Sequence, residues 1–485
     1  QLNRLKSYIA EPIAMTAIAA SRATSSAVSS PYLALYSSAP AEQDEFLNPL
    51  SGKVPSSLEG TLFRNGPARW NAGDFQAQHL FDGDGMMGRF QFAQGKVHYR
   101  SRYVQTPKVR AERQGKTMRG LGSQRPGGIL ANAFRLLADR ANTHAVMHAG
   151  KLLALSDDGR PWVLDADTLA TRGRTRFNRE LPRLSLFSPH PRIDPNTGEL
   201  FNFGLVRSGG FRAGLRCYRV DPNGAMRTLA TVPLDHLYIN HDFAITEHYL
   251  VFVLAPVIVD PIKAIPALLG LSTFEAASGY RDDIGTRIVL VPRDGGKLRI
   301  VECPPLVYVH FNNAFEQQDS VVVDLVRHAQ WDGVANALRH FRTEAAPGGH
   351  LTRIRISSNN RVEMEDLCAQ AGEFPNHDTR RTGREHRFSY FPSLQRTIIK
   401  LDHDTGRHQQ HEFGALDMIG EPIFVPMDAQ AGEDEGWVLS IVYRHAEHRT
   451  DLVILDARDF EADPLAVLPL PEPIFPGFHG SFVPS

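Results

Sequence analysis

Residues 288–301 read IVLVPRDGGKLRIV, and this stretch decides the fold. An alternating apolar run is followed by the turn residues Asp294-Gly-Gly296 and then by a second alternating run. Alternation with a period of two is typical of a β-strand with one buried face. Glycine in the connection supplies the positive φ that tight hairpins need. The stretch therefore predicts a β-hairpin.

Six other stretches have the same form, with two apolar runs joined by an acidic or turn residue and a short loop. They are FQFAQGKVHY at 90–99, WVLDADTLAT at 162–171, CYRVDPNGAMRT at 217–228, RIRISSNNRVEM at 353–364, IIKLDHDTGRHQQ at 398–410 and VILDARDF at 453–460. The seven copies recur about every 60 residues and predict an all-β chain folded as a seven-bladed β-propeller. The residues beyond the usual ~40–50 of a repeat predict long loops that cap one face. A pair of β-sandwiches is the alternative.

Composition excludes several classes of protein. The 485 residues carry 53 Lys and Arg against 54 Asp and Glu, so no overall field attracts nucleic acid. The apolar fraction of 42% excludes a disordered chain. There are 20 histidines but only three cysteines, Cys217, Cys303 and Cys368. A disulfide framework and a thiolate zinc site are therefore excluded, any metal would be held by imidazole and carboxylate, and a cytoplasmic location is favoured.

Two segments depart from the hairpin pattern. Residues 1–45 are rich in Ala and Ser, typical of a flexible or interfacial extension, whereas 46–485 is expected to form one catalytic propeller domain. Residues 257–274, VIVDPIKAIPALLGLSTF, are too apolar for an ordinary solvated loop. This insertion predicts either peripheral membrane contact or burial in the cap. No apolar run reaches the ~18–20 residues of a membrane span. Helices are expected at 129–140 and 332–341.

The chain lacks a nucleophile elbow, a P-loop and a dinucleotide-binding glycine motif. His144 and His148 have the i, i+4 spacing of a helical zinc site, but their surroundings alternate as a strand, where such residues lie about 13 Å apart. Four other histidines adjoin apolar β runs, namely His190, His241, His310 and His479. Successive members of this set are separated by about one, one and three repeats. Residues spaced in whole repeats occupy equivalent positions in different blades, so these four could converge on the propeller axis. Periodicity alone does not select these four among twenty.

Collinear motifs from about residue 46 to the end resemble the carotenoid cleavage oxygenase family. They are Glu59-Gly-Thr-Leu-Phe-Arg-Asn-Gly-Pro67, His79-Leu-Phe-Asp-Gly-Asp-Gly-Met86, His190-Pro-Arg-Ile-Asp-Pro195, His241-Asp-Phe-Ala-Ile-Thr246, Asn313-Ala-Phe-Glu316, Glu373-Phe-Pro375, Gly420-Glu-Pro-Ile-Phe-Val-Pro426 and His479-Gly-Ser481. The resemblance implies a seven-bladed propeller with a helical and loop cap. It also implies one Fe(II) per chain held on the axis by His190, His241, His310 and His479. Members use O₂ to cleave a carbon–carbon double bond, giving two carbonyl products.

The resemblance further implies carboxylates that accept the Nδ1–H of three of the four histidines. Glu373 is expected to orient His310, and Glu421 is expected to orient His479. Asp157 stands where the family has Glu and would face His241. Because Asp is one methylene shorter, an inward shift of the backbone or a bridging water is expected. Alternatively, Asp157 is a turn carboxylate unconnected to the metal.

The family's branches differ in the alkene that they cleave. Arg64-Asn-Gly-Pro67 resembles the branch that acts on carotenoids and apocarotenoids. Stilbene cleavers carry a Lys where this chain has Ser156, yet Tyr103 keeps the tyrosine that partners that Lys. Phe311, beside His310, is expected either to line the substrate tunnel or to pack within its blade, and packing is favoured. A carotenoid or apocarotenoid is therefore the expected substrate. A stilbene or phenylpropenoid cleaver and an isomerase with the same iron site are the alternatives, whereas the retained histidines argue against a pure binding module.

Overall fold

The hairpin predicted at 288–301 joins the strands Thr286–Pro292 and Arg299–Cys303. These two strands are the third and fourth of a four-stranded antiparallel sheet. The computed structural model describes residues 31–485 apart from 38, 158, 183–184, 208–212, 343–346 and 395. Five of the other six predicted stretches also join the third and fourth strands of their sheets, whereas 453–460 covers the end of the third strand, Arg449–Asp456, and stops before the fourth, Ala466–Pro469. The seven sheets are the blades of a propeller, which confirms the predicted fold class.

The strands of each blade are named in order from the propeller axis outward. Blade 1 contains His479–Pro484, Gly60–Arg69, Asp84–Ala93, Lys96–Tyr103 and Asp44–Leu47; blade 2 contains His144–His148, Lys151–Leu155, Trp162–Leu164 and Thr171–Arg174; blade 3 contains Arg192–Ile193, Leu200–Arg207, Ala213–Val220 and Met226–Pro233. Blade 4 contains Ala244–Ile245, Tyr249–Leu254, Thr286–Pro292 and Arg299–Cys303; blade 5 contains Val307–Gln317, Ser320–His328, Gly349–Ser357 and Val362–Gly372; blade 6 contains Asn376–His377, Phe388–Pro392, Thr397–Asp402 and His408–Glu412. Blade 7 contains Ile423–Pro426 with Met418–Ile419, then Gly436–Arg444, Arg449–Asp456, Ala466–Pro469 and Ser51–Gly52.

The ring closes by pairing the two ends of the chain. Residues 479–484 run antiparallel to 60–65, so the last strand completes the first blade from the inside. Within the described part of the chain, a buried apolar cluster lies at each of the seven interfaces between neighbouring blades. One of these joins Leu62 and Phe90 of blade 1 to Ile423 and Leu439 of blade 7. Because burial of apolar surface stabilises every interface, the blades form one ring.

Long connections build a cap on one face. Its helices are Leu33–Ser37, Pro107–Glu112, Gly128–Asn132, Pro261–Leu268 and Trp331–Arg339, with 3₁₀ turns at Leu80–Asp82 and Glu275–Ala277 and a further one at Thr379–Arg381 beside blade 6. Two small antiparallel pairs complete the elements: the hairpin Asn71–Ala72 with Phe75–Gln76, and Val257–Val259 with Ser278–Tyr280, whose connection contains the helix Pro261–Leu268. Ion pairing between Arg339 and Glu275, at 2.7 Å, joins two of the capping segments.

The structure corrects one predicted helix. The expected helix at 129–140 is wrong beyond Asn132, because Ala133 is extended and Phe134 adopts a positive φ of 54°. This bend brings the Phe134 N–H to the Leu268 carbonyl oxygen at 2.8 Å, so contact with another capping segment overrides the local helical pattern. The helix expected at 332–341 forms as Trp331–Arg339.

The proposed division at residues 45 and 46 falls inside the strand Asp44–Leu47, which pairs with residues 97–100 of blade 1. Residues 1–30 of the predicted extension lie outside the described residues. Among the residues that are described, no helix is both long and apolar enough to cross a membrane.

Candidate metal centre

Four histidines from four blades meet at the propeller axis. His479 is the first residue of its innermost strand and His310 lies in another, whereas His190 lies two residues before the innermost strand of blade 3 and His241 three residues before that of blade 4. The Nε2 atoms of His190 and His241 lie 2.9 Å apart, and those of His310 and His479 lie 3.1 Å apart. All four imidazoles therefore turn their Nε2 atoms toward a common centre.

The turn before the last strand explains how His479 reaches this centre. Gly477 has a φ of +82°, and a Cβ there would lie 2.9 Å from the carbonyl oxygen of Asn65. Only glycine adopts such a conformation without strain. The next residue, Phe478, donates its N–H to that same oxygen at 2.9 Å, which fixes the entry of the strand.

Three of the histidines have a carboxylate behind them. His241 Nδ1 lies 2.9 Å from Asp157 Oδ1, and His479 Nδ1 lies 2.9 Å from Glu421 Oε1. His310 Nδ1 makes a short hydrogen bond to Glu373. Asp157 thus reaches His241 directly despite its shorter side chain. Carboxylates placed in this way fix the tautomer of each imidazole with the proton on Nδ1.

His190 differs from the other three. The nearest carboxylate oxygen to its Nδ1, Asp242 Oδ1, is 3.9 Å away. Both oxygens of Asp242 accept hydrogen bonds from Arg192 at 2.8 Å. The orientation of His190 must therefore be set by another contact.

The arrangement of His310 and His479 fits a cation. Each donates its Nδ1–H to a carboxylate, so each neutral ring presents a bare Nε2 lone pair. Two lone pairs facing each other at 3.1 Å repel unless a positive charge lies between them. Moreover, nitrogens bound at about 2.1 Å to one ion and at a right angle lie about 3.0 Å apart. Both observed separations match that value.

Electrostatics at the centre follow from burial and the neighbouring charges. Burial and the adjacent imidazoles hold the pKa of His190 and His479 well below the usual range. Burial acts in the same direction on His241, but the Asp157 carboxylate outweighs it and raises the pKa of that imidazole. Burial opposes ionisation of Glu373, yet His310 and His328 hold its pKa below the usual range. The rings of His190 and His479 are thus held neutral, as metal ligation requires.

The carboxylates are themselves held in place. Arg64 donates to Glu421 Oε2 at 2.7 Å, and the Gly480 N–H donates to the same oxygen at 3.0 Å. His328 Nε2 lies 2.9 Å from Glu373 Oε1. A chain of buried contacts therefore extends from the centre into blades 1, 5 and 7.

Comparison with known proteins agrees with this geometry. The profile of the family described as retinal pigment epithelial membrane protein matches residues 36–484. Apocarotenoid-15,15'-oxygenase from Synechocystis sp. is 33% identical over 467 residues, covering 92% of this chain and 95% of that protein. The chain belongs to the carotenoid cleavage oxygenase family.

Other members of this family are also similar. Lignostilbene-alpha,beta-dioxygenase isozyme III from Sphingomonas paucimobilis is 29% identical over 473 residues, covering 89% of this chain and 92% of that protein. The crystal structure of cobalt-substituted apocarotenoid oxygenase from Synechocystis superposes with a TM-score of 0.87 at 33% identity. The structural alignment covers 94% of this chain and 98% of the chain in that crystal structure.

In this carotenoid cleavage oxygenase, the two predicted substrate residues lie in apolar clusters. Tyr103 packs with Ala68, Met86 and Val109, and its hydroxyl donates to the Pro40 carbonyl oxygen at 3.0 Å. The ring of Phe311 is buried between blades 4 and 5, where it packs edge-to-face against Tyr308.

Sequence reasoning missed an aromatic residue at the centre. The Phe374 ring lies 5.1 Å from the His310 ring and 5.3 Å from the His479 ring, and it stacks near Phe478. Its position directly after Glu373, in the motif Glu373-Phe-Pro375, was the available signal. Phe374 is an apolar wall beside the four histidines.

A second group of potential ligands, Asp324, His386 and His403, lies near blades 5 and 6. Both carboxylate oxygens of Asp324 accept hydrogen bonds from Arg353 at 2.8 Å. The Ser389 hydroxyl lies between the two histidines, 2.7 Å from His403 Nε2 and 3.2 Å from His386 Nε2. Protein partners therefore already occupy the space that an ion would need.

Proposed function

We propose that this chain is a non-haem Fe(II) oxygenase that cleaves a carbon–carbon double bond of a carotenoid or apocarotenoid with O₂. His190, His241, His310 and His479 would hold the iron. The observation that carries the proposal is the pair of bare Nε2 atoms of His310 and His479, 3.1 Å apart. Imidazole suits iron, and four protein ligands leave two of six positions open. Membership of the family and its relative from Synechocystis support the oxygenase assignment.

The protein's own residues have distinct tasks in this proposal. Bound Fe(II) supplies the centre at which O₂ is activated. Glu373, Glu421 and Asp157 hold the protons on Nδ1, so the opposite nitrogens stay free for the metal. Phe374 and Phe478 offer an apolar surface that excludes water and suits an alkene substrate.

Two contacts favour a polyene over a phenolic stilbene. The Ser156 hydroxyl donates to Asp139 Oδ1 at 3.1 Å, at the position where stilbene cleavers carry Lys. The Tyr103 O–H is committed to the Pro40 carbonyl oxygen. Neither side chain therefore offers a free donor to a phenol group of the substrate.

The deciding experiment supplies Fe(II)-loaded protein with oxygen-18 gas and either an apocarotenal or a hydroxystilbene. We expect cleavage of the apocarotenal, with labelled oxygen in both carbonyl products. Cleavage of the hydroxystilbene alone would overturn the substrate class, and isomerisation without cleavage would favour the isomerase alternative. Failure to cleave either substrate with iron bound would contradict the oxygenase assignment. Phe374→Leu should raise KM for the apocarotenal about tenfold while iron content stays unchanged.

A second proposal concerns how an apolar substrate is reached. We propose that the cap binds a bilayer surface through 129–136 and 262–271, which meet at the contact between Phe134 and Leu268. Their exposed side chains include Ile129, Leu130, Phe134, Leu136, Ile262, Ile265, Leu268, Leu269 and Leu271. Leu130 is 94% exposed, and Arg135 and Lys263 lie exposed beside this patch. An apolar patch flanked by cations suits an anionic lipid surface.

Sedimentation with phosphatidylcholine vesicles, with and without phosphatidylglycerol, tests this contact. We expect binding that increases with the anionic lipid and is lost in the double variant Leu130→Glu, Leu271→Glu. Ile300→Glu is the matched control, because Ile300 is 49% exposed but lies on the outer strand of blade 4. Equal binding by both variants would contradict the proposal.

A further inference from the structure

A fifth histidine, His144, lies against the proposed metal centre. It is the first residue of the innermost strand of blade 2. Its ring centroid is 5.4 Å from that of His479 and 5.8 Å from that of His190. Together with three of the four histidines it lines a cavity of about 690 Å³ along the propeller axis.

The ring nitrogens of His144 face backbone oxygens rather than the centre. Nδ1 lies 2.8 Å from the carbonyl oxygen of Pro189, the residue before His190. Nε2 lies 3.3 Å from the carbonyl oxygen of Gly480, the residue after His479. Burial lowers the pKa of His144, so the ring is neutral and has a single N–H, which the shorter contact assigns to Nδ1 as the donor to Pro189. His144 therefore holds the backbone before His190 and packs against the backbone after His479.

The Pro189 contact matters because His190 lacks a carboxylate partner. The segment around it is fixed instead through its backbone. The His190 N–H donates to Ser188 Oγ at 3.2 Å, and that hydroxyl donates to the His241 carbonyl oxygen at 3.0 Å. His144 adds the hydrogen bond that holds the peptide carbonyl directly before the ligand.

We infer that His144 is a positioning residue that takes over, for His190, the task that carboxylates perform for the other three histidines. It acts by donating its Nδ1–H to the Pro189 carbonyl oxygen. This inference rests on the proposed metal centre. Removing a partner that orients a ligand typically costs 10–100-fold in metal affinity. Substitution of His144 should lower metal affinity by about tenfold, the lower end of that range, because His144 holds the backbone of the ligand and not its ring.

The test uses Co(II)-loaded full-length protein, and its readouts are the visible absorption spectrum of the metal and its release rate to a chelator. His144→Phe keeps an aromatic ring but removes the hydrogen bond to Pro189. We expect it to retain one metal per chain, with an altered spectrum and release about tenfold faster. His144→Gln, whose amide can still donate to Pro189, should recover part of the wild-type release rate.

His148→Phe is the matched control. His148 ends the same strand, is 8% exposed, and contacts the Asp221 carbonyl oxygen at 2.9 Å. It should leave the spectrum and the release rate unchanged. A wild-type spectrum and release rate in His144→Phe would overturn the inference, as would equal effects of the two substitutions. Complete loss of metal from both His144→Phe and His144→Gln would instead make His144 a ligand, which also contradicts it.

The same samples separate this inference from the proposed function. If wild-type protein binds no metal, or if His190→Ala binds it as tightly as wild type, the proposed centre itself is wrong. If His190→Ala loses the metal and His144→Phe behaves as wild type, only the positioning role fails.

Discussion

The Nε2 atoms of His310 and His479 lie 3.1 Å apart, although both rings have already given their Nδ1–H to carboxylates. Glu373 and Glu421 thus force two lone pairs to face each other in a buried site. Such a pair is unfavourable without a cation and favourable with one. In the proposed metal centre, part of the folding stability should therefore come from the bound metal.

Metal removal should consequently lower the melting temperature. A ligand at a hundred times its Kd stabilises a folded protein by about 2.7 kcal/mol. For a chain of this size we expect chelation to lower Tm by about 3 °C, and Fe(II) to restore it. Differential scanning calorimetry of loaded and chelated protein measures the change. His386→Ala, in the second histidine cluster, should leave the metal-dependent part of Tm intact, and an equal Tm with and without metal would contradict the prediction.

Glu421 also neutralises the buried charge of Arg64, so its substitution should lower the unfolding free energy. Arg64 and Glu421 are 2.7 Å apart, with side chains 5% and 8% exposed. Glu421→Gln leaves the guanidinium buried without a counter-charge, and removing one partner of such a pair costs about 3–5 kcal/mol. Urea unfolding should show a loss of about 3 kcal/mol, together with weaker metal binding.

The double variant Arg64→Met, Glu421→Gln is the control for that charge. It should recover part of the lost stability because no uncompensated charge remains, yet it should still bind metal weakly. Recovery of metal binding in the double variant would show that Glu421 acts only through Arg64 and does not orient His479 itself.

Asp157 should separate metal affinity from stability. Its side chain is 38% exposed, whereas that of Glu421 is 8% exposed. Ion pairs in contact with solvent contribute little, so Asp157→Asn should change the unfolding free energy by less than about 1 kcal/mol. Loss of the charge behind His241 should still weaken metal binding about tenfold. Metal titration and urea unfolding of the same variant measure both, and an unchanged affinity would assign Asp157 to the turn alone.

The outer half of each blade could be predicted from the sequence, and the inner half could not. Thr286–Pro292 is a short run of apolar residues, with Ile288 to Val291 all buried, and it pairs with Arg299–Cys303 across a tight glycine-containing turn, so both strands leave a local signal in the sequence. The innermost strands Arg192–Ile193 and Ala244–Ile245 are two residues long and carry no periodic signal. Their positions depend on the closure of the ring.

In the candidate site, too, some residues could be predicted from the sequence and others could not. Motifs indicated the four histidines and their carboxylates because each lies in a distinctive local stretch. In the sequence, His144 stands out only as part of an i, i+4 pair with His148. Its actual partners are backbone oxygens 45 and 336 residues away. Contacts to backbone across such distances leave no pattern in a single sequence, so only the folded chain reveals them.

A buried ionic cluster at the base of the cap should make stability depend on pH. Lys108 Nζ lies 2.7 Å from Asp84 and 2.9 Å from Glu112, and Arg69 also pairs with Asp84. Burial, and then repulsion from Asp84, raise the pKa of Glu112 to about 7, above the ordinary 4.5. The folded state therefore binds this proton more tightly than the unfolded state does. Its contribution to stability is complete below pH 4.5 and is lost as pH rises through about 7.

The unfolding free energy should accordingly fall between about pH 5 and pH 8, by at most about 3 kcal/mol from this group. In Glu112→Gln, which cannot ionise, that part of the fall should disappear. Glu247→Gln is the control, because Glu247 is exposed and its substitution should leave the wild-type pH dependence in place. Urea unfolding of wild type, Glu112→Gln and Glu247→Gln at about pH 5 and about pH 8 measures these differences. If Glu112→Gln loses as much stability as wild type over this range, Lys108 and Arg69 keep Glu112 ionised throughout, and the cap is anchored independently of pH.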